Sequence, residues 1–321
     1  QAIIHALGAG MAFLLFSYVF KSFYLPLFMA LWLGLIPPHL SRITLLLQEP
    51  LLTLLTTASI LLTVIFMKKP TSFSAIYTGI IWGLCTLSKI VTWFAPFLIV
   101  AYQIKTKSFL NYKKHIALLL LSFSLTPWAL RNYAHFNELI IINSQGTGML
   151  EWSIKTKYKK TLFSKHNGTQ FIDNLNIQKI SQSGKKKAMW QFVKQNKAYF
   201  ILGRPLSGAM YFTFPDFFEN WYITKISPPE NYRKIVAYAW WIFLTIPLFL
   251  GLLYRTIEFM KGKLESPIKL LLIFYLIYWL QYALICGDPR YSVPVYPILL
   301  CLLPISFLKN IFKGNISNEK N

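Results

Sequence analysis

Charged residues are scarce in this chain. They fill only 14% of 321 positions, against 55% apolar and 17% aromatic, which excludes the balance of a soluble domain of this length. Cysteine is nearly absent too. Cys85, Cys286 and Cys301 stand in or beside apolar runs without metal-ligand spacing, which excludes a disulfide framework and a cysteine zinc site and leaves them as packing residues. No HExxH, GxSxG or phosphate-loop pattern occurs, and His5, His115, His135 and His166 show no ligand spacing. The ten-residue alternation of a membrane barrel is missing, and no internal repeat is visible. No charged leader with a cleavage site precedes the first apolar run, so no signal peptide is expected.

What the chain has instead is apolar runs. They cover residues near 2–20, 24–37, 50–66, 73–87, 90–104, 115–130, 235–254, 268–286 and 292–308. About 20 helical residues cross a bilayer core, so the expectation is an all-α polytopic membrane protein of about nine transmembrane helices, with some shorter runs tilted or sitting in locally thinned bilayer.

A formal charge of +22 invites a nucleic-acid reading, but the placement of the charge excludes it. Fourteen of the 33 Lys and Arg fall in short joints at alternate ends of the apolar runs, among them Lys68, Lys69, Lys113, Lys114, Arg255 and Lys269. Only Arg42, Lys89 and Arg290 occupy the intervening short joints, and the rest lie between Arg131 and Lys234. Such alternation is the positive-inside pattern, from which long loops are exempt. It places the Lys-rich joints in the cytoplasm and residues 131–234 outside, in an integral protein of the plasma (inner) membrane.

The expected organisation is therefore transmembrane helices over 1–130 with a site at their outer face, a mixed extracytoplasmic loop domain over 131–234, C-terminal transmembrane helices over 235–308 and a cytoplasmic tail over 309–321. Within the polar block, KKKAMWQFVKQNKAYFI spaces Met189, Trp190, Phe192, Val193, Tyr199 and Phe200 as an amphipathic helix would. YFTFPDFFENWY, residues 211–222, is aromatic but broken by Pro215 and by charge, a composition suited to the headgroup layer.

Orientation accounts for the cytoplasmic charges, so the informative ones are at the outer face: Arg42, Glu49, Lys89, Arg131, Asp288 and Arg290. Charge at membrane depth is costly and faces a bundle interior or a watery cavity, so their convergence points to a shared polar site. Glu49 precedes Pro50 at a helix start, where the helix dipole stabilises a carboxylate. It serves either as a cap or as a ligand for sugar hydroxyls or a cation. Arg131 and Arg290 carry planar forks suited to phosphate oxygens, Lys89 a point charge, and His39 follows Pro37-Pro38 near the same face.

Four segments then carry a resemblance: PWALRNY followed by a polar strand-like stretch and Gly146, LLLQEPLLTLL, GIIWGLCTLSK, and GDPRYSVPVYP. In this order and approximate spacing, from residue 1 to about 308, the chain resembles the polyprenyl-phosphate-dependent membrane glycosyltransferases related to the dolichyl-phosphate-mannose protein mannosyltransferases and the lipid A aminoarabinose transferase. The resemblance implies the C-type glycosyltransferase architecture. It also implies an enzyme moving a sugar from a polyprenyl-phosphate donor to an acceptor lipid, glycan or protein at the outer face.

The resemblance makes Glu49 a supporting catalytic group. It gives Lys89, Arg131, Arg290 and Tyr291 to the lipid phosphate, and His39, Arg42, Asn132 and Asp288 to sugar or acceptor. It names no certain cofactor and no metal ligands, and leaves a divalent cation open. The family begins with a further helix and an external loop bearing the main catalytic acid. Both are expected upstream of Gln1, as the external start of the first apolar run also requires. The competing readings are a polymerase or ligase of lipid-linked sugars, a polytopic transporter or flippase, and a non-catalytic membrane subunit.

Overall fold

The computed structural model describes residues 1–20, 23–35, 48–105, 112–122, 126–137, 151, 154, 168–177, 182–213, 242, 245–285 and 289–303. Among these there are helices and no strands. The long apolar ones are α1 (Ala2–Phe20), α2 (Tyr24–Leu35), α3 (Glu49–Lys68) and α4 (Ser72–Ser88). After a 3-10 turn at Ile90–Thr92 come α5 (Ala95–Lys105), α6 (Tyr112–Ser122) and α7 (Thr126–Phe136). The polar block contributes α8 (Gly168–Ile177), α9 (Gln182–Gln195), a π-helical turn at Tyr199–Gly203 and α10 (Arg204–Thr213). Then follow α11 (Ile246–Met260), α12 (Ser266–Ile285), a 3-10 turn at Pro289–Val295 and α13 (Tyr296–Cys301).

Among the described residues, three helices are long and apolar enough to cross a membrane: residues 2–20, 49–68 and 267–284. Shorter apolar helices cover 24–35, 72–88 and 292–301. The molecule is thus a helical membrane protein, and these helices stand where six of the nine expected runs lie. Of the run expected to span 115–130, residues 115–122 belong to α6 and 126–130 to α7, and 123–125 lie outside the described residues.

Helix directions follow from paired contacts. Gly8 lies against Leu54 and the Lys68 ammonium sits 4.1 Å from the Tyr18 ring centroid, so α1 and α3 run parallel. Trp82 Nε1 donates to Thr63 Oγ1 at 2.9 Å and Thr56 meets Cys85 Sγ at 3.4 Å, so α4 returns antiparallel to α3. Lys114 Nζ donates to Pro70 O at 2.6 Å, and Ser122 packs on Gly79, so α6 runs with α4. Lys68, Lys69 and Lys114 therefore gather at one end of the bundle. Glu49, Lys89 and the close of α4 lie at the other.

Packing explains the composition. The interior face of α12 carries Phe274, Tyr278 and Tyr282, all buried, while Leu276, Leu280 and Leu284 are 37 to 52% exposed on the other face. Such a leucine stripe would be a liability in water and is ordinary against lipid. Phe274 packs its ring at 5.3 Å from Trp82, 5.2 Å from Phe94 and 6.1 Å from Tyr278, continuing the aromatic column down the bundle.

Three threonines of α3 satisfy their hydroxyl donors within the helix. Thr53, Thr57 and Thr63 donate to the carbonyls of Glu49, Thr53 and Ser59 at 2.6 to 2.8 Å. At Gly79 the backbones of α4 and α6 nearly touch, since a Cβ there would lie 2.8 Å from Leu118 O. On the far side, Arg255 fastens α11 to the last carbonyls after α13, donating to Leu302 O at 3.1 Å and Leu303 O at 3.2 Å.

The described part of the polar block differs from the mixed domain expected of it. It is helical, with a small core of its own in which Ile154, Ile172, Leu175, Met189 and Phe192 are buried and Phe171 stacks on Phe192 at 4.4 Å. The strand-like stretch expected before Gly146 lies outside the described residues. Nor does the whole block stand clear of the bundle. α10 packs into it, with Gly208 against the Ala283 carbonyl and Phe212 stacked on Tyr282 at 5.7 Å. Glycine is required at 208, because a Cβ there would strike that carbonyl.

Candidate functional site

Glu49 is the first residue of α3 and is 3% exposed. Its Oε2 is buried and has no hydrogen-bond partner among the described residues. A carboxylate in that condition is destabilising by roughly 1–3 kcal/mol unless something engages it, although the helix start beneath it offsets part of that cost. Gln48, just before it, makes no side-chain cap. Its amide reaches across to the end of α4 and, in the orientation that satisfies both of its ends, its oxygen accepts from Lys89 Nζ at 2.9 Å and its nitrogen donates to Ser88 O at 3.3 Å.

Lys89 is placed by its backbone. α4 ends there in an extended conformation, with the Lys89 N–H still donating to Cys85 O at 2.9 Å. Thr92 Oγ1 closes the turn, donating to Lys89 O at 3.1 Å while lying 3.3 Å from Thr86 Oγ1. The ammonium is thereby held at the level of Gln48.

The 3-10 turn Pro289–Val295 packs against α3, α10 and α12. The backbone of Arg290 and Tyr291 is thus carried at a junction of three helices, while their side chains lie outside the described set. The turn is anchored by Ser292, Val293 and Val295, all buried. His39, Arg42 and Asp288 also lie outside the described residues.

Arg131 lies on α7. It is exposed, with its guanidinium 5.0 Å from the Trp128 ring centroid and Nη1 donating to Asn132 Oδ1 at 3.3 Å. Asn132 is 4% exposed. Among the described residues no extended packing joins α7 to α3, α4 or the 289–295 turn. A single Arg in a Pro-Trp-x-x-Arg pattern looks like the exit of a span. Here it is a mid-helix residue stacked on an aromatic ring.

Three residues near this end were missed by sequence reasoning. His5 Nε2 lies 2.8 Å from Gly34 O, linking α1 to the end of α2 beside Pro50 and Thr53. Arg204 is 3% exposed and Tyr199 2% exposed, on either side of the π-helical turn. The signal for the pair was present in the sequence as one Arg in a stretch, 190–213, that holds no Asp or Glu. No group of three or more His, Cys, Asp or Glu side chains converges among the described residues.

Compared with protein-family models, curated proteins and solved structures, the chain matches none, so its own residues carry whatever function is assigned to it.

Proposed function

We propose that this chain is an integral-membrane glycosyltransferase of C-type architecture that takes a sugar from a polyprenyl-phosphate donor at the outer face of the plasma membrane, with residues 131–234 extracytoplasmic. The observation that supports this reading most is the partnerless Glu49 Oε2 next to a fixed cation, Lys89, at the end of the bundle opposite the lysine-rich joints.

Transfer of a sugar from a polyprenyl phosphate leaves negative charge on the departing phosphate while an acceptor hydroxyl or amine loses a proton. Positive groups aimed at that phosphate act where charge develops. Lys89 supplies one such charge and Arg290, on the turn packed against α3, supplies another. Glu49 is the supporting acid: it accepts a hydrogen bond from a sugar hydroxyl, or holds a divalent cation against one. The acceptor is a lipid, glycan or protein reaching the same face.

The test is to purify the chain in detergent and measure binding and turnover of a radiolabelled polyprenyl-phosphate sugar. Binding that Lys89→Gln weakens about tenfold or more supports the reading, since a charge-assisted contact contributes about 1.5–3 kcal/mol. Absence of donor binding overturns it. Reconstitution into liposomes separates the flippase alternative, which would move a labelled lipid between leaflets without breaking its sugar–phosphate bond.

A further inference from the structure

We propose that Arg204 and Tyr199 form part of the phosphate-binding site, gripping the oxyanion of a lipid-linked phosphate at the junction of α10, α12 and the 289–295 turn. This inference rests on the function proposed above and adds two residues to it.

Placement comes first. Gly208 meets Ala283, and one turn further along α10 Phe212 meets Tyr278 and Tyr282, so α10 runs antiparallel to α12. Arg204 lies four residues before Gly208, about 6 Å along the axis at 1.5 Å per residue. That is the level where α12 ends at Ile285 and the chain enters the turn bearing Arg290, which itself packs against α10 and α3. Arg204 therefore stands at the Glu49 end of the bundle.

The local chemistry comes second. The π-helical turn sets the Arg204 N–H on the Tyr199 carbonyl, five residues back, and brings both side chains to one buried spot. Tyr199 Oη is buried and makes no hydrogen bond of ordinary geometry, while the Arg204 guanidinium is near enough to act on it electrostatically. Single π-helical turns recur at functional sites. A buried fork beside a buried hydroxyl is a donor set for an oxyanion, and a guanidinium matches phosphate better than any other side chain does. Arg131, exposed and stacked on Trp128, has no comparable setting.

The experiment measures binding of farnesyl phosphate, farnesol and inorganic phosphate to the purified full chain and to Arg204→Gln, Arg204→Lys, Tyr199→Phe and Lys89→Gln. Arg204→Gln is expected to weaken farnesyl phosphate tenfold or more and leave farnesol unchanged, and Tyr199→Phe to weaken it several-fold. Arg204→Lys keeps the charge and loses the fork, so it should weaken binding with its melting temperature intact, which covers the case in which Arg204→Gln does not fold. Weakening by Lys89→Gln alone, with Arg204→Lys and Tyr199→Phe at wild-type affinity, overturns the assignment and leaves the lipid-phosphate reading standing. Wild-type binding of farnesyl phosphate no better than farnesol overturns both. Equal competition by inorganic phosphate overturns the lipid-linked part and assigns the site to a free anion.

Discussion

The Gln48 amide oxygen accepts a hydrogen bond from Lys89 Nζ at 2.9 Å, tying the start of α3 to the end of α4. Glu49 follows Gln48 directly, so one interhelix contact fixes an acid and a cation at a common depth. The contact runs through Gln48 and not through the acid, so the carboxylate oxygen Oε2 of Glu49 is left without a hydrogen-bond partner among the described residues.

That leftover oxygen gives the first prediction. Glu49→Gln removes a buried charge that has no partner, which costs roughly 1–3 kcal/mol in the folded protein, so the variant should melt at or above the wild-type temperature. Donor turnover should fall about tenfold or more, the loss of one charge-assisted contact. Thermal unfolding in detergent beside a turnover assay reads both. A lowered melting temperature with unchanged turnover would make Glu49 a structural cap.

Sidedness is tested by chemical labelling. Lys68, Lys69 and Lys114 collect at one bundle end, and Lys186 lies exposed on α9 in the polar block. In intact cells an impermeant thiol reagent should modify Lys186→Cys and spare Lys69→Cys, with both reacting after permeabilisation. Modification of Lys69→Cys in sealed cells would reverse or dissolve the topology.

The Trp82–Thr63 hydrogen bond at 2.9 Å joins α3 and α4 where both residues are buried. A double-mutant cycle with Trp82→Phe and Thr63→Val should give a coupling of about 0.6 kcal/mol, the average for such bonds between membrane helices. Zero coupling in unfolding measurements would mean that lipid or water satisfies the indole as well as Thr63 does.

Gly79→Leu should be severe. Even a Cβ would come 2.8 Å from Leu118 O and 3.0 Å from Leu121 Cβ, and neither a carbonyl nor a β-carbon has room to rotate away. Overpacking of this kind costs about 1–3 kcal/mol, so the melting temperature should drop by several degrees. Gly10→Leu is the matched control, because nothing lies within 4 Å of a Cβ at that position. Equal loss in both variants would point to helix propensity rather than to the α4–α6 contact.

The apolar runs were legible because a membrane helix must satisfy its backbone internally and coat itself with apolar side chains, two demands written along the chain. α1, α3 and α12 consequently stand within a few residues of the runs read from sequence. Glu49 and Lys89 were legible for a related reason, since charge is rare enough in this composition to be conspicuous. Arg131 reads in sequence as the exit of a span and lies in the structure within α7, a difference that a Pro-Trp-x-x-Arg run does not itself encode. Arg204 was hidden by its company: it is one of sixteen basic residues of the polar block, and its burial comes from α10 turning back onto α12, a tertiary contact.

The threonines of α3 also bear on how the protein is made. Thr53, Thr57 and Thr63 each donate to a carbonyl of their own helix, so the segment presents no unspent hydroxyl donor at those positions and can enter lipid before any neighbour exists. Trp82, arriving later in the chain, finds the Thr63 oxygen still able to accept. At these positions the order of synthesis and the order of bond formation coincide: α3 enters with the three hydroxyl donors already used, and α4 supplies the donor that locks onto Thr63.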